Sequence, residues 1–176
     1  MWKNDPRFTM AYVYTLICRG VRPWTALGNF MNDWYGNDKD NREVLVCDPL
    51  VTVGPLTKYK WRWRAFCAAS VEFLCGRYHV ACPQWVHDPA FILTIPWYAE
   101  GYTMNENAKR MRAEETPIEF KKRNILCGWR LFLNKYEIIQ WEEEAIAQGL
   151  TDDDAIQRYI LAREYVTHGP HPPAAS

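Results

Sequence analysis

The stretch Lys58-Tyr-Lys-Trp-Arg-Trp-Arg-Ala-Phe-Cys-Ala-Ala-Ser-Val-Glu-Phe-Leu-Cys-Gly-Arg-Tyr78 decides the fold. Along it Trp63, Phe66, Cys67, Ser70, Val71, Leu74, Cys75 and Tyr78 step by three and four residues. That spacing lays them along one side of an α-helix. The stretch predicts a long amphipathic helix facing the core, with Gly76 near its end. At 1.5 Å per residue such a helix is about 30 Å long, enough to cross a small domain.

Outward from this helix the pattern stays helical. Residues 6–19 predict a first helix, with Pro6 in its first turn, helical spacing from Phe8 to Cys18, and Gly20 at its end. A second starts near Pro23 and carries Trp24, Leu27, Phe30, Met31 and Trp34 on one face. Residues 43–57 are punctuated by Pro49, Gly54 and Pro55 and read as a loop over the core. Residues 79–103 hold Pro83, Pro89 and Pro96 among Trp85, Phe91, Trp97 and Tyr98. Those prolines exclude a long helix and predict an aromatic loop packed by its own rings.

A polar helix is expected over 104–115. A short one through Arg123 follows, with Thr116 as N-cap and Glu119 three residues on. Residues 125–133 are open between a short strand and a helix. Residues 135–148 and a segment capped by Thr151, with Asp152, Asp153 and Asp154 in its first turn, form a C-terminal helical pair. The fold class is mainly α: a single irregular helical domain over 1–167, with one short strand allowed and a mobile tail over 168–176.

The 176 residues suit one domain, and a hydrophobic fraction of 48% can fill its core. Lys+Arg and Asp+Glu balance at 21 each, which removes the basic excess that broad nucleic-acid binding needs. No run of 18 apolar residues reads as a membrane span, and the polar start at Met1 lacks a signal-peptide core. Six cysteines in a chain of this size read as buried thiols, so a cytoplasmic protein is expected. Nine Trp and ten Tyr are a surplus, and some are expected to line a groove or an interface.

Four constellations could carry chemistry. Cys75, His79, Cys82 and His87 have zinc-compatible ligand types within thirteen residues. Cys75 lies on the apolar face of the long helix and no CxxC pair anchors the set, so no metal is expected. Lys58, Lys60, Trp61, Arg62 and Arg64 interleave cations with aromatics, as a base-stacking surface would. The plain alternative is the first turns of a helix with its cations in solvent. Lys121, Lys122, Arg123 and Asn124 form a second basic cluster, readable as an anion or acidic-partner site or as a salt-linked surface. The three aspartates after Thr151 are explained by helix capping. Only two serines occur, Ser70 and Ser176, and no nucleophile elbow, zinc-protease, P-loop or dinucleotide motif is present. No catalytic residue and no cofactor is assigned.

Several stretches are shared in order and spacing with a known group. They are Pro23-Trp-Thr-Ala-Leu-Gly-Asn-Phe-Met-Asn-Asp-Trp-Tyr35, Trp63-Arg-Ala-Phe-Cys-Ala-Ala-Ser-Val-Glu-Phe-Leu74, Cys82-Pro-Gln-Trp-Val-His-Asp-Pro89, Pro96-Trp-Tyr98, and Glu115-Thr-Pro-Ile-Glu-Phe-Lys-Lys-Arg-Asn-Ile-Leu-Cys127. Over residues 12–136 the chain resembles an uncharacterised bacterial helical domain family. Its members often follow helix-turn-helix repressor domains and are encoded near nucleotidyltransferase-like proteins, in a toxin–antitoxin style. The stretch before Pro23 is too short for a helix-turn-helix domain, so the chain resembles the stand-alone form.

Three functions are weighed. The first is a non-enzymatic partner-binding protein, antitoxin-like or regulatory. The resemblance makes its partner a nucleotidyltransferase-like toxin, and its contact residues are Trp85, Trp97, Tyr98, Phe120, Lys121, Lys122, Arg123 and Asn124. The second is a nucleic-acid-binding module using 58–64 and 121–123. The third is an enzyme with its site in loop 79–102.

Overall fold

The structure, a computed structural model, describes residues 6–101 and 105–170. Among them are eight α-helices and one pair of two-residue parallel strands. The chain is mainly α around a long central helix, as the sequence indicates. The first helix, α1, runs Met10–Cys18, and Thr9 caps it by accepting from the Tyr12 amide at 3.2 Å. Pro6 lies outside it, because the threonine hydroxyl satisfies a first-turn donor that proline cannot position. α2 spans Pro23–Asn32 and continues through a π-turn over Asp33–Asn37. The expected loop at 43–57 contains one further helix, α3, Arg42–Val46.

α4 spans Lys58–Tyr78. Thr57 caps its start, accepting from the Lys60 amide at 3.2 Å, and left-handed His79 ends it. It is not amphipathic in its middle. Every residue from Ala65 to Val71 is buried, so the helix is wrapped on all sides. α1 packs on it, as do the turns over Gln84–His87 and Pro89–Phe91 and the short helix α6, Ile118–Lys121. Ala65, Ala68 and Ala69 let these neighbours approach closely.

Rings fill the space around α4. Phe66 meets Phe120 at 5.1 Å and Trp24 at 5.5 Å, and Trp63 meets Trp97 edge-on at 5.1 Å. Trp34, Trp63, Trp97, Trp129 and Trp141 are buried, so most of the aromatic surplus is core. Large rings remove much apolar surface from water per residue, and edge-on pairs add to that.

α5 covers Glu106–Glu115, capped by Asn105. Thr116 is not the cap of α6. Its hydroxyl donates to the Arg112 carbonyl and accepts from the Cys127 amide, tying the end of α5 to the segment after β2. Residues 125–133 resolve into both readings: β2 at Ile125–Leu126, then a 3-10 turn over Trp129–Phe132. β2 pairs in parallel with β1, Trp97–Tyr98, in the register Trp97 to Ile125.

The last two helices, α7 Lys135–Ala147 and α8 Asp153–His168, pack on each other. Their seam is a separate small core of Trp141, Ala145, Ile156 and Ile160. Gly149, at φ +86°, makes the turn between them. The cap of α8 is Asp152, which accepts from the Ala155 amide at 2.9 Å, one residue beyond Thr151. The expected tail starts inside this helix: His168 is its last residue and its side chain is buried. Residues 171–176 lie outside the described residues.

Candidate functional site

The basic cluster of 121–124 is where sequence and structure diverge most. Arg123 is buried, 3% exposed, and its guanidinium donates at 2.6 Å each to Glu72, to the Glu119 carbonyl and to the Val86 carbonyl. Asn124 takes the left-handed conformation, φ +59°, and its amide donates to the Leu93 carbonyl. The backbone carbonyls of Arg123 and Asn124 accept from Leu93 and Trp97. Together these two residues clamp loop 86–97 onto α4 and α6. Lys122 pairs with the same Glu72 from the surface. Burial pushes the Glu72 carboxyl up, but hydrogen bonds and charge from Lys122 and Arg123 outweigh it and hold the group below its ordinary 4.5.

The other predicted contact residues separate. Phe120 is fully buried and Trp97 nearly so, both in the ring cluster around Phe66. Trp85 is half-buried, donates its indole N–H to the Val46 carbonyl at 2.9 Å, and meets Phe91 edge-on. Tyr98 is half-buried on β1. Lys121 and Lys122 are exposed, and Lys121 alone of the cluster makes no side-chain bond among the described residues.

The basic–aromatic segment is the first two turns of α4, wired into the fold. The Lys60 ammonium donates to the Val53 carbonyl at 2.7 Å, and the Trp61 indole N–H donates to the Ala90 carbonyl at 2.8 Å. Arg62 lies over the Trp97 ring, and Arg64 lies over Phe91 while donating to the Leu50 carbonyl. Lys58 remains on the surface. Of the rings of this segment, Trp61 and Trp63 are engaged in the fold, while Tyr59 stays exposed.

Cys75, His79, Cys82 and His87 do not converge. Among the described residues no group of three His, Cys, Asp or Glu side chains is placed to hold a metal ion. The Cys75 and Cys82 thiols do touch, and Cys75 is pushed up to about 12, mostly by burial and then by Cys82. His79 is the left-handed cap of α4, and His87 stands 4.0 Å from Glu72. Ser70 is buried with its hydroxyl on the Phe66 carbonyl at 2.8 Å, and Ser176 lies outside the described residues. The loop expected to hold an enzyme site forms one side of a small hollow of about 230 Å³ beside His87, Asp88 and Lys122.

Two features were not legible beforehand. One is a cleft of about 540 Å³ between the end of α4, the corner of α5 and α6, and the end of α8. Phe73, Gly76, Pro117 and Ile118 line it with apolar groups, and Glu114, Glu119 and Lys121 with charged ones. The other is the outer side of the α7–α8 hairpin. Tyr136, Ile139 and Ile146 are exposed on α7, and Leu161, Tyr165 and Val166 on α8. The hairpin is joined to the body by polar groups. Arg77 pairs with buried Glu164 and the Lys135 ammonium donates to the Asn32 side chain at 2.8 Å, while His168 bonds Glu137 at 2.7 Å across the hairpin itself. Burial pushes the Glu164 carboxyl up, against the pull of Arg77 and His168.

No helix among the described residues is long and apolar enough to cross a membrane. Comparison with protein-family models, with curated proteins and with solved structures finds no match to this chain.

Proposed function

We propose that this chain is a non-enzymatic, regulatory partner-binding protein that docks a protein partner on the outer side of the α7–α8 hairpin. The observation that carries the reading is the apolar stripe on each helix. Ile139 and Ile146 lie two turns apart on α7, flanked by exposed Glu142 and Glu143, and Leu161 and Tyr165 stand at i and i+4 on α8, with Val166 next to Tyr165; the Tyr136 ring turns toward Gly36 of the body. Single exposed apolar residues are ordinary, but stripes at helical spacing are what a partner helix covers. The inner seam has its own apolar set, so these outer residues are not needed to hold the two helices together. The resemblance noted above makes a nucleotidyltransferase-like protein encoded beside this one the partner to try first, in an antitoxin-like role.

Co-expression with that neighbour tests the reading. A stable complex in size-exclusion chromatography at high salt is expected. Ile139→Asp and Tyr165→Asp should each weaken it about 30-fold or more while leaving the helical circular dichroism intact. A complex indifferent to both substitutions, or no complex, refutes the docking face.

A further inference from the structure

The end of α4 folds Cys82 back onto Cys75. His79 leaves the helix in the left-handed conformation, φ +54°, and the amides of His79 and Val80 both close on the Cys75 carbonyl. The chain therefore reverses after the last turn of α4 and runs back beside it. The turn over Gln84–His87 then packs on α4, and Arg123 holds its Val86 carbonyl at 2.6 Å. Cys82 lies between these two fixed points, and its thiol meets that of Cys75.

The two thiols differ in access. Cys75 is buried, whereas Cys82 is half-buried and within reach of solvent. They differ in charge preference as well. Burial, then Cys82, pushes Cys75 up to about 12. Burial and then Glu72 raise Cys82, while the contact with Cys75 and the charges of Arg123 and Lys122 pull it back down. Cys82 is thus better placed to be the attacking thiolate, and Cys75 to resolve what it forms. A structural cysteine packs as a small hydrophobe and needs no thiol beside it. A reachable thiol next to a shielded one is the arrangement of a reversible disulfide.

We propose that Cys75 and Cys82 are a redox-active pair, closed to a disulfide by a small-molecule disulfide such as oxidised glutathione and reopened by thiols. The Cys82 thiolate attacks one sulfur of the oxidant and expels the other half as a thiolate. Cys75 then gives up its proton, attacks Cys82 Sγ in the mixed disulfide and expels the second half. Two protein thiols are oxidised, one disulfide is reduced, and the two protons end on the two glutathione thiols. No reagent has to reach Cys75 from solvent. The pair is separate from the outer face of the hairpin and stands or falls without it.

The test incubates the full native chain with oxidised glutathione at mildly alkaline pH, blocks the remaining thiols by alkylation, and maps tryptic peptides by mass. Trypsin cuts after Arg77, between the two cysteines, so their disulfide joins two peptides that dithiothreitol separates. That joined pair is expected, with the helical circular dichroism retained. The melting temperature should rise by about 5 °C, because the short ring restricts the unfolded chain. Cys75→Ala should leave Cys82 trapped as its glutathione mixed disulfide, and Cys82→Ala, at a half-buried site, should leave Cys75 a free thiol. Glutathione retained on Cys82 in the wild-type chain, or Cys82 left unmodified, overturns the proposal. So does pairing of either cysteine with Cys18, Cys47, Cys67 or Cys127, or a disulfide that lowers the melting temperature.

Discussion

Replacing Arg123 with alanine separates a docking role from a structural one. As a surface contact residue, Arg123 could be truncated with a change in stability of about 0.5 kcal/mol or less. The structure demands far more. Its guanidinium is buried and holds three acceptors at 2.6 Å: the Glu72 carboxylate and the carbonyls of Glu119 and Val86. Hydrogen bonds to a charged donor are worth about 1.5–3 kcal/mol each, and truncation leaves partly buried acceptors unmatched. Removing one member of a buried pair typically costs about 3–5 kcal/mol. Lys122 still faces Glu72 from the surface and screens part of the loss, so the lower half of that range, about 3–4 kcal/mol, is expected. That is a large share of the roughly 5–15 kcal/mol that holds a domain together. For a chain of this size it lowers the melting temperature by about 6–16 °C. Urea unfolding at 25 °C, followed by tryptophan fluorescence, reads the difference directly, with exposed Lys121→Ala as the control at about 0.5 kcal/mol or less. A loss below about 1 kcal/mol for Arg123→Ala would refute the clamp and return the residue to the surface.

Three further outcomes follow from the same contacts. Glu72 has a folded pKa below its ordinary 4.5, so its contribution is present above that value and fades as pH falls through the lower folded one. The stability gap between the wild type and Glu72→Gln should therefore shrink in acid below pH 4.5, and a constant gap in pH-dependent urea titrations would contradict the pairing. Asp152→Ala removes the cap of α8 and should cost about 1 kcal/mol, while Thr151→Ala, one residue earlier, should cost about 0.5 or less; the reverse order would restore Thr151 as the cap. Cys47 is exposed while Cys67, Cys75 and Cys127 are buried, so a thiol reagent on the native protein should modify Cys47 first and reach those three only on unfolding.

The sequence reading succeeds where one helix explains itself. The bounds of α4 and the existence of α7 and α8 follow from local periodicity and turn residues. The all-round burial of α4 does not follow from its apolar stripe, although a signal was present. No charge occurs between Arg64 and Glu72, and that uncharged interval is the part of the helix that is wrapped. The cap of α8 falls one residue past Thr151 because Thr151 and Asp152 are both suitable, and Thr116 is drawn from its expected cap by Arg112 and Cys127, so only geometry decides. Arg123 and Asn124 could not be read at all. Their partners, Glu72, Val86 and Leu93, lie 31 to 51 residues away in sequence, and nothing local distinguishes a buried arginine from a solvated one. The cleft was hidden for the same reason, since its floor joins α4 to the α5–α6 corner.

The attachment of the α7–α8 hairpin ties these points together. Its seam buries only Trp141, Ala145, Ile156 and Ile160, too little to make two helices of this length independently stable. The hairpin therefore depends also on its contacts with the body: Arg77 with Glu164, Lys135 with Asn32, the Tyr78 ring against His168 at 4.8 Å, and the Tyr136 ring against Gly36. Buried polar pairs add little net stability compared with apolar contacts, but they fail sharply when misaligned, so they fix an orientation more than they strengthen it. Glu164, raised by burial despite facing Arg77, shows how close that balance is. An element with a small seam and exposed apolar residues is stabilised by a partner that covers those residues. Binding to the folded form alone stabilises it by mass action. A partner covering Ile139 and Tyr165, as proposed above, would therefore raise the melting temperature of the hairpin as well as bind it, and a complex that melts no higher than the free chain would count against that face.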